Sequence, residues 1–228
     1  MGSATAAAAA GDALLARSFA ILRGYAADES AALAAMLWEA GVRNVEVPTL
    51  TEQAWTAFDA VARAAGDGRR AGIGSARGRA DLERAQALGA SFAVSAGLVD
   101  ELVDGARATG LELIPGVLTP SEVLRAVAAG CTTVKLFPAA TVGPSHVAAL
   151  RAPFPDVGFV VVGGVGPDNA GAFVRAGAVG IGIGSALLPP PGFGPAQLEA
   201  SRRTLEALAV RLAAPLDGAD SNSQPKGR

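Results

Sequence analysis

Short β-branched or apolar runs alternate with alanine-rich amphipathic segments along most of the chain. The runs that read as strands are Ser18–Leu22, Arg43–Pro48, Arg70–Gly74, Ser91–Val94, Glu112–Pro115, Thr132–Phe137, Gly158–Val162 and Val179–Ile183. Their starts recur at intervals of roughly 20 to 27 residues, the length of a strand, a helix and two short loops. The segments between them carry helical periodicity: Glu29–Ala40, Glu52–Ala65, Ala80–Leu88, Val99–Thr109, Pro120–Ala129 and Asn169–Ala176. Ala40-Gly41, Ala129-Gly130 and Ala176-Gly177 mark helix ends, where glycine accepts a left-handed turn. Thr119-Pro120-Ser121-Glu122 marks a helix start, with proline at the first position and an acid in the first turn.

Eight strands alternating with helices leave two α/β architectures, a closed (β/α)8 TIM barrel and an open doubly wound sheet. An open nucleotide-binding sheet wants a glycine-rich fingerprint after its first strand, where this chain has Leu22-Arg23-Gly24-Tyr25. Glycine turns after the last two strands favour the barrel. No sharp linker divides the body. The expected organisation is a loose arm over 1–11, one barrel domain over 12–213 and a disordered tail over 214–228, ending DGADSNSQPKGR.

Charge and composition then remove whole classes of function. With 228 residues, half of them apolar, the chain can bury a substantial core. A formal net charge of −2 without a basic stripe argues against nucleic-acid binding. No apolar run reaches membrane-spanning length, and the start MGSATAAAAAGD lacks both a basic leader region and, at Ala6, the myristoylation hydroxyl. A single cysteine, Cys131, excludes an intrachain disulfide and fits a reducing, cytoplasmic location. A single histidine, His146, rules out a histidine-rich metal site within one chain.

Lysine usage points to a site. Of nineteen basic residues, lysine accounts for two, Lys135 and Lys226, and arginine for the other seventeen. A chain that uses arginine for general positive charge keeps one lysine inside an apolar strand. Alternate strand residues face the same way, so Thr133, Lys135 and Phe137 share one face, and Val134 and Leu136 the other. Helices outside a barrel need the apolar pair, which points Lys135 inward. By the same parity Asn44, Glu46 and Pro48 face in, and Glu46 is an inward carboxylate near the C-terminal end of its strand. Arginine stays charged in a protein, whereas a desolvated lysine can lose its proton and attack a carbonyl. Lowering an amine from about 10.4 to roughly 7–8 leaves a useful neutral fraction, although an ionised carboxylate nearby opposes that shift. Glu46 is therefore expected to act through hydrogen bonds or water. The competing readings are a buried ion pair and a lysine reaching from an edge strand to water.

The ends of the other strands add Arg23, Gly72-Ile73-Gly74-Ser75, Ser95-Ala96-Gly97, Gly163-Gly164 and Gly184-Ser185. Glycine turns after strands seven and eight let backbone N–H groups approach an anion, and a helix starting near Ser185 would add its positive end. Tight turning alone also explains such glycines.

Ala20-Ile21-Leu22-Arg23, Val45-Glu46-Val47-Pro48, Gly116-Val117-Leu118-Thr119-Pro120-Ser121-Glu122, Val134-Lys135-Leu136-Phe137-Pro138 and Gly163-Gly164-Val165 occur in this order. Val142-Gly143-Pro144 and Ala152-Pro153-Phe154-Pro155 follow the lysine motif. Together they resemble the class I 2-keto-3-deoxy-6-phosphogluconate (KDPG) aldolase family, which includes 6-phosphogalactonate and 4-hydroxy-2-oxoglutarate aldolases. The resemblance spans about Phe19 to Leu188. It implies a homotrimeric barrel without metal or other cofactor, cleaving a 2-keto-3-deoxy sugar acid into pyruvate and an aldehyde. Lys135 would be the Schiff-base lysine and Glu46 the proton-transfer carboxylate. Arg23 would bind the substrate's anionic end, Phe137 would line the pyruvate pocket, and Gly163, Gly164 and Ser185 would hold phosphate. Ser75 keeps the substrate-binding hydroxyl where the family commonly has Gly-Ala-Gly-Thr. Three positions depart from the pattern: Ala96 replaces the proline of Ser-Pro-Gly, Leu50 stands where some members place a carboxylate-binding arginine, and Val162 replaces the threonine of gluconate-type members. Galactonate-type members can be apolar at that last position.

The function expected is a Schiff-base aldolase giving pyruvate and glyceraldehyde 3-phosphate. The alternatives are 4-hydroxy-2-oxoglutarate cleavage to pyruvate and glyoxylate, and a non-catalytic sugar-phosphate-binding barrel. Packing roles suffice for Cys131, Trp38 and Trp55, while His146 is expected to open the helix after strand six. Arg69-Arg70 is too short a charge run to imply a partner.

Overall fold

The computed structural model describes residues 11–213. The arm expected over 1–11 lies outside them except for Gly11, which is helical, and the tail over 214–228, with Lys226, lies outside altogether. Helix α1 covers 11–17. Then follow β1 (Phe19–Ile21), α2 (Ala27–Glu39), β2 (Asn44–Pro48), α3 (Glu52–Ala64), β3 (Arg70–Ala76), α4 (Arg79–Ala87), β4 (Phe92–Ser95) and α5 (Asp100–Thr109). The second half comprises β5 (Glu112–Ile114), β6 (Gly116–Val117), α6 (Pro120–Ala128), β7 (Thr133–Leu136), α7 (Ala139–Val142), α8 (Pro144–Arg151), β8 (Gly158–Val161), α9 (Ala170–Arg175), β9 (Gly180–Ile183) and α10 (Pro195–Ala213).

All the pairings are parallel, in the order β5-β4-β3-β2-β1-β9-β8-β7-β6. The two edge segments are halves of one strand. β5 pairs with β4, β6 pairs with β7, and only Pro115 lies between them. Proline has no N–H to give a ladder, so the strand expected as Glu112–Pro115 is interrupted there and resumes at Gly116. Nine segments thus make the eight staves of a (β/α)8 barrel.

Parity sorts the apolar side chains into two groups. Val45, Val47, Val134, Leu136, Phe159, Val161, Ile181 and Ile183 pack outward against helix residues such as Leu33, Leu37, Phe58, Val123 and Phe173. A second, smaller cluster of Phe19, Phe92, Val94, Ile114, Val160 and Val162 fills the interior. Phe19 and Phe92 meet edge to face at 5.5 Å. There is room for them because β3 and β9 present glycines inward. A Cβ on Gly72 would stand 2.5 Å from the Phe92 ring.

Local signals behave as sequence suggested. Thr119 accepts the Glu122 N–H while the Glu122 carboxylate accepts the Leu118 and Thr119 N–H groups at 2.8 and 2.7 Å, capping α6. Those same backbone bonds hold the Glu122 carboxyl below its ordinary value. His146 lies in the first turn of α8, where its Nε2 meets the Leu118 carbonyl at 2.6 Å. Trp38 and Trp55 are buried on α2 and α3.

The break at Pro115 leaves no tolerance at Gly116, whose added Cβ would fall 2.1 Å from the Ala96 carbonyl oxygen. The oxygen belongs to backbone and the Cβ position is fixed by backbone, so neither can rotate away. Gly116→Ala should destabilise the barrel by about 3 kcal/mol, the upper range for overpacking. Chemical denaturation of the two proteins checks this, and a difference below about 1 kcal/mol contradicts it.

Candidate active site

Register puts two charged side chains inside the barrel toward the carboxyl ends of its strands. Glu46 lies beside Ile21 of β1 and Gly72 of β3, and Lys135 lies beside Gly116 of β6 and Val160 of β8. Glu46 is 2 % exposed and Lys135 8 %, so both charges have lost nearly all bulk water. Gly74 makes room for the carboxyl, because a Cβ there would stand 2.9 Å from Glu46 Oε1. Among the described residues Lys135 forms no salt bridge, and the two charges act on each other through space. Burial pushes the Glu46 carboxyl from 4.5 up to about 7, against the opposing pull of Lys135 and then Arg23. It therefore sits half protonated near neutral pH, able to give or take a proton.

Phe137 connects this pair to the outside. Its ring centroid lies 5.2 Å from Lys135 Nζ, and the side chain also lines an open pocket of about 350 Å³. Arg23, Tyr25, Val162, Gly163, Gly164, Gly184 and Ser185 contribute to the same pocket. The glycine turns take conformations that side chains resist: Gly163 has φ 93° and Gly164 φ 72°. A Cβ on Gly164 would also strike Ala140 at 2.6 Å. Asn169 fixes this turn by donating to the Gly164 carbonyl at 2.8 Å and accepting the Gly166 N–H at 2.9 Å.

The helix expected near Ser185 is only a single turn, in which Leu187 and Leu188 N–H both donate to the Gly184 carbonyl at 2.9 Å. Pro189, Pro190 and Pro191 follow, and without N–H groups they cannot carry it further. The N–H groups of Gly164, Ser185 and Ala186 have no protein acceptor among the described residues. Gly164, Ser185 and Ala186 all line the pocket beside Arg23, and backbone donors in such a place suit a multivalent oxyanion.

The family model for KDPG and KHG aldolase matches residues 13–193. A probable 2-dehydro-3-deoxy-6-phosphogalactonate aldolase of Rhizobium meliloti (strain 1021) is 33% identical over 172 residues, 75% of this chain and 81% of its own length. The chain belongs to the KDPG and KHG aldolase family. The solved structure described as native KDPGal superposes on this aldolase with a TM-score of 0.78 and 30% identity, covering 86% of this chain and 95% of that one. A KDPG aldolase of Legionella pneumophila, solved with pyruvate captured at low pH as a covalent carbinolamine intermediate, superposes with a TM-score of 0.71 and 25% identity, over 91% and 96% of the two chains. Family membership makes this protein an aldolase, a carbon–carbon lyase.

Most of the residues singled out in the sequence of this aldolase meet at one mouth. Arg23 lies in the loop after β1 and is exposed, and Phe137, Gly163, Gly164 and Ser185 share its pocket. Ser75 is different. β3 runs on to Ala76 rather than stopping at Gly74, and Ser75 sits at a register shift with φ 59°, half-buried and outside the pocket lining. Tyr25 was missed. Its ring lies against Phe193 at 6.1 Å and its hydroxyl donates to the Pro189 carbonyl at 2.5 Å, tying the β1 loop to the proline-rich segment after β9. Its position two residues beyond Arg23, in a loop at the strands' carboxyl ends, is the signal that could have found it.

The raised carboxyl also has a signature in stability. A group whose folded pKa lies above its unfolded value contributes stability that is complete below about 4.5 and is lost as pH rises through about 7. For Glu46 the loss is about 3 kcal/mol at most. In Glu46→Gln that portion of the pH dependence should vanish, so the variant gains on the parent as pH climbs from 5 to 8. Denaturation across this range is the check, and parallel curves for the two proteins would count against it.

Proposed function

We propose that this aldolase works through a Schiff base at Lys135 and cleaves a 2-keto-3-deoxy-6-phospho sugar acid, of the galactonate type in preference to the gluconate type. The reading rests on a lysine and a near-neutral carboxyl enclosed at the same barrel mouth as an unfilled set of anion donors. The Legionella relative's covalent carbinolamine with pyruvate supports the same chemistry here.

Lys135 Nζ, once neutral, attacks the C2 ketone, and Glu46 passes a proton to the departing hydroxyl as the carbinolamine loses water. The protonated imine then draws the electrons of the C3–C4 bond as it breaks, while the C4 hydroxyl gives its proton to Glu46 or to a bound water. The aldehyde leaves, the enamine takes a proton at C3, and water releases pyruvate and the free amine. A carboxyl near 7 is matched to a cycle that alternates between giving and accepting protons. Arg23 would hold the substrate's anionic end, Phe137 would wall the pyruvate portion, and Gly163, Gly164 and Ser185 would hold the phosphate. Ser75 offers a hydroxyl from the neighbouring strand.

Val162 supports the galactonate preference. It lines the pocket almost fully buried and gives a sugar hydroxyl nothing to bond. The galactonate names of the Rhizobium relative and of one superposed structure point the same way. Val99, Leu124 and Val127 remain 48, 58 and 45 % exposed around α5 and α6, apolar surface suited to the homotrimer that the resemblance implies.

Lys135→Ala should lower pyruvate release by a factor of at least about 10⁴, the loss of a covalent nucleophile and not of a binding contact. Borohydride added with pyruvate should label the parent at Lys135 alone. An active preparation that stays unlabelled, or is labelled elsewhere, refutes the Schiff-base reading. Assaying both phosphorylated epimers beside 4-hydroxy-2-oxoglutarate tests the substrate: the galactonate form should have the highest kcat/KM, and saturable binding without pyruvate would mark a barrel that has lost its activity. Light scattering should return about 68 kDa, three times the chain mass of 22.6 kDa.

A further inference from the structure

A second cavity of the barrel lies at the end away from this chemistry. At the N-terminal mouth an opening of about 400 Å³ is lined by Arg17, Arg43, Arg70, Asn44, Glu112 and Thr133, with apolar walls around them. We propose that this mouth is a second ligand site, which binds a small oxyanion carrying phosphate or carboxylate groups.

Its floor is built from fixed polar groups. Asn44, 4 % exposed, donates through Nδ2 to the Ala16 and Ser18 carbonyls at 3.0 and 3.1 Å, which turns its Oδ1 toward Arg70. Arg70 Nη1 donates to that oxygen at 3.1 Å, Nη2 donates to Glu112, and the guanidinium lies 5.1 Å from the centroid of the Phe92 ring. Held on three sides, this guanidinium still has more N–H donors than its two bonds use.

Arg17 and Arg43 flank it from the end of α1 and from the residue just before β2. Neither makes a side-chain hydrogen bond or an ion pair among the described residues, whereas several other arginines are matched to acids, as Arg63 is to Asp59, Arg84 to Glu52 and Arg202 to Glu199. Three guanidinium groups facing one cavity with a single carboxylate leave an excess of positive charge in a chain of net charge −2. A bound dianion relieves their mutual repulsion, and planar guanidinium forks fit phosphate and carboxylate oxygens two at a time. The volume is that of a small-molecule site.

The site is separate from the aldol chemistry. Phe19 and Val160 form its ceiling, and with Phe92 and Ile114 they fill the barrel between the two mouths. A ligand here spans the leading ends of the first three strands without reaching Lys135.

The test uses the 15N-labelled full chain titrated with inorganic phosphate, and separately with malonate. The side-chain amide of Asn44 reports on this mouth and the backbone amide of Gly164 on the other. Asn44 should respond saturably to at least one anion, and the anion that binds more tightly identifies the ligand's class. In Arg17→Gln/Arg43→Gln that response should weaken at least about tenfold, given the strength of charge-assisted hydrogen bonds. The variant's Gly164 spectrum and pyruvate release should match the parent's, which shows that it is folded. An Asn44 amide indifferent to both anions, or a double variant that titrates like the parent, overturns the proposal.

Discussion

Closing a sheet of parallel strands on itself leaves an interior that only a few side chains can share, and every feature of the active mouth follows from how that space is allotted. Gly72 yields its place to Phe92 and Gly74 to the Glu46 carboxyl. The carboxyl thereby loses its hydration without gaining a direct cationic partner, and the penalty outweighs the attraction of Lys135 and Arg23. A surface glutamate beside a lysine would ionise and form a weak pair. Enclosed this way, it stays poised between its two forms, which destabilises the fold above neutral pH and is what proton relay requires.

The parts of this arrangement that sequence reveals are those governed by period. Alternation in Thr133-Val134-Lys135-Leu136-Phe137 and in Asn44-Val45-Glu46-Val47-Pro48 fixes which side chains face in, and both strands obey it because the helices outside demand the valines and leucines. The Thr119–Glu122 cap is equally local. Where tertiary neighbours decide, the sequence is silent. Pro115 could end a strand or merely interrupt it, and only β7, pairing with Gly116, makes it an interruption. Ser185 opens a single turn, and the three prolines after it supply no N–H to carry a helix on. Ser75 takes a left-handed conformation at a register shift between β3 and β4 that no periodicity announces.

The N-terminal mouth was invisible for a related reason. Arg17, Arg43 and Arg70 stand a whole strand–helix repeat apart, so nothing along the chain groups them. As a pair of adjacent charges, Arg69-Arg70 looks like solvated surface. In the fold the two part company: Arg69 covers Trp38 at 5.3 Å, while Arg70 turns into the barrel. Barrel symmetry turns one residue per repeat into a ring, a grouping that exists only once the sheet has closed.

The aromatic and aliphatic plug formed by Phe19, Phe92, Ile114 and Val160 makes the tube into two cups sharing one base. Phe19 and Val160 close the floor of one cup and Val162 stands at the wall of the other, so the same packed layer divides them. Substitutions at the rims, away from that layer, can alter either end while the shared base remains solid.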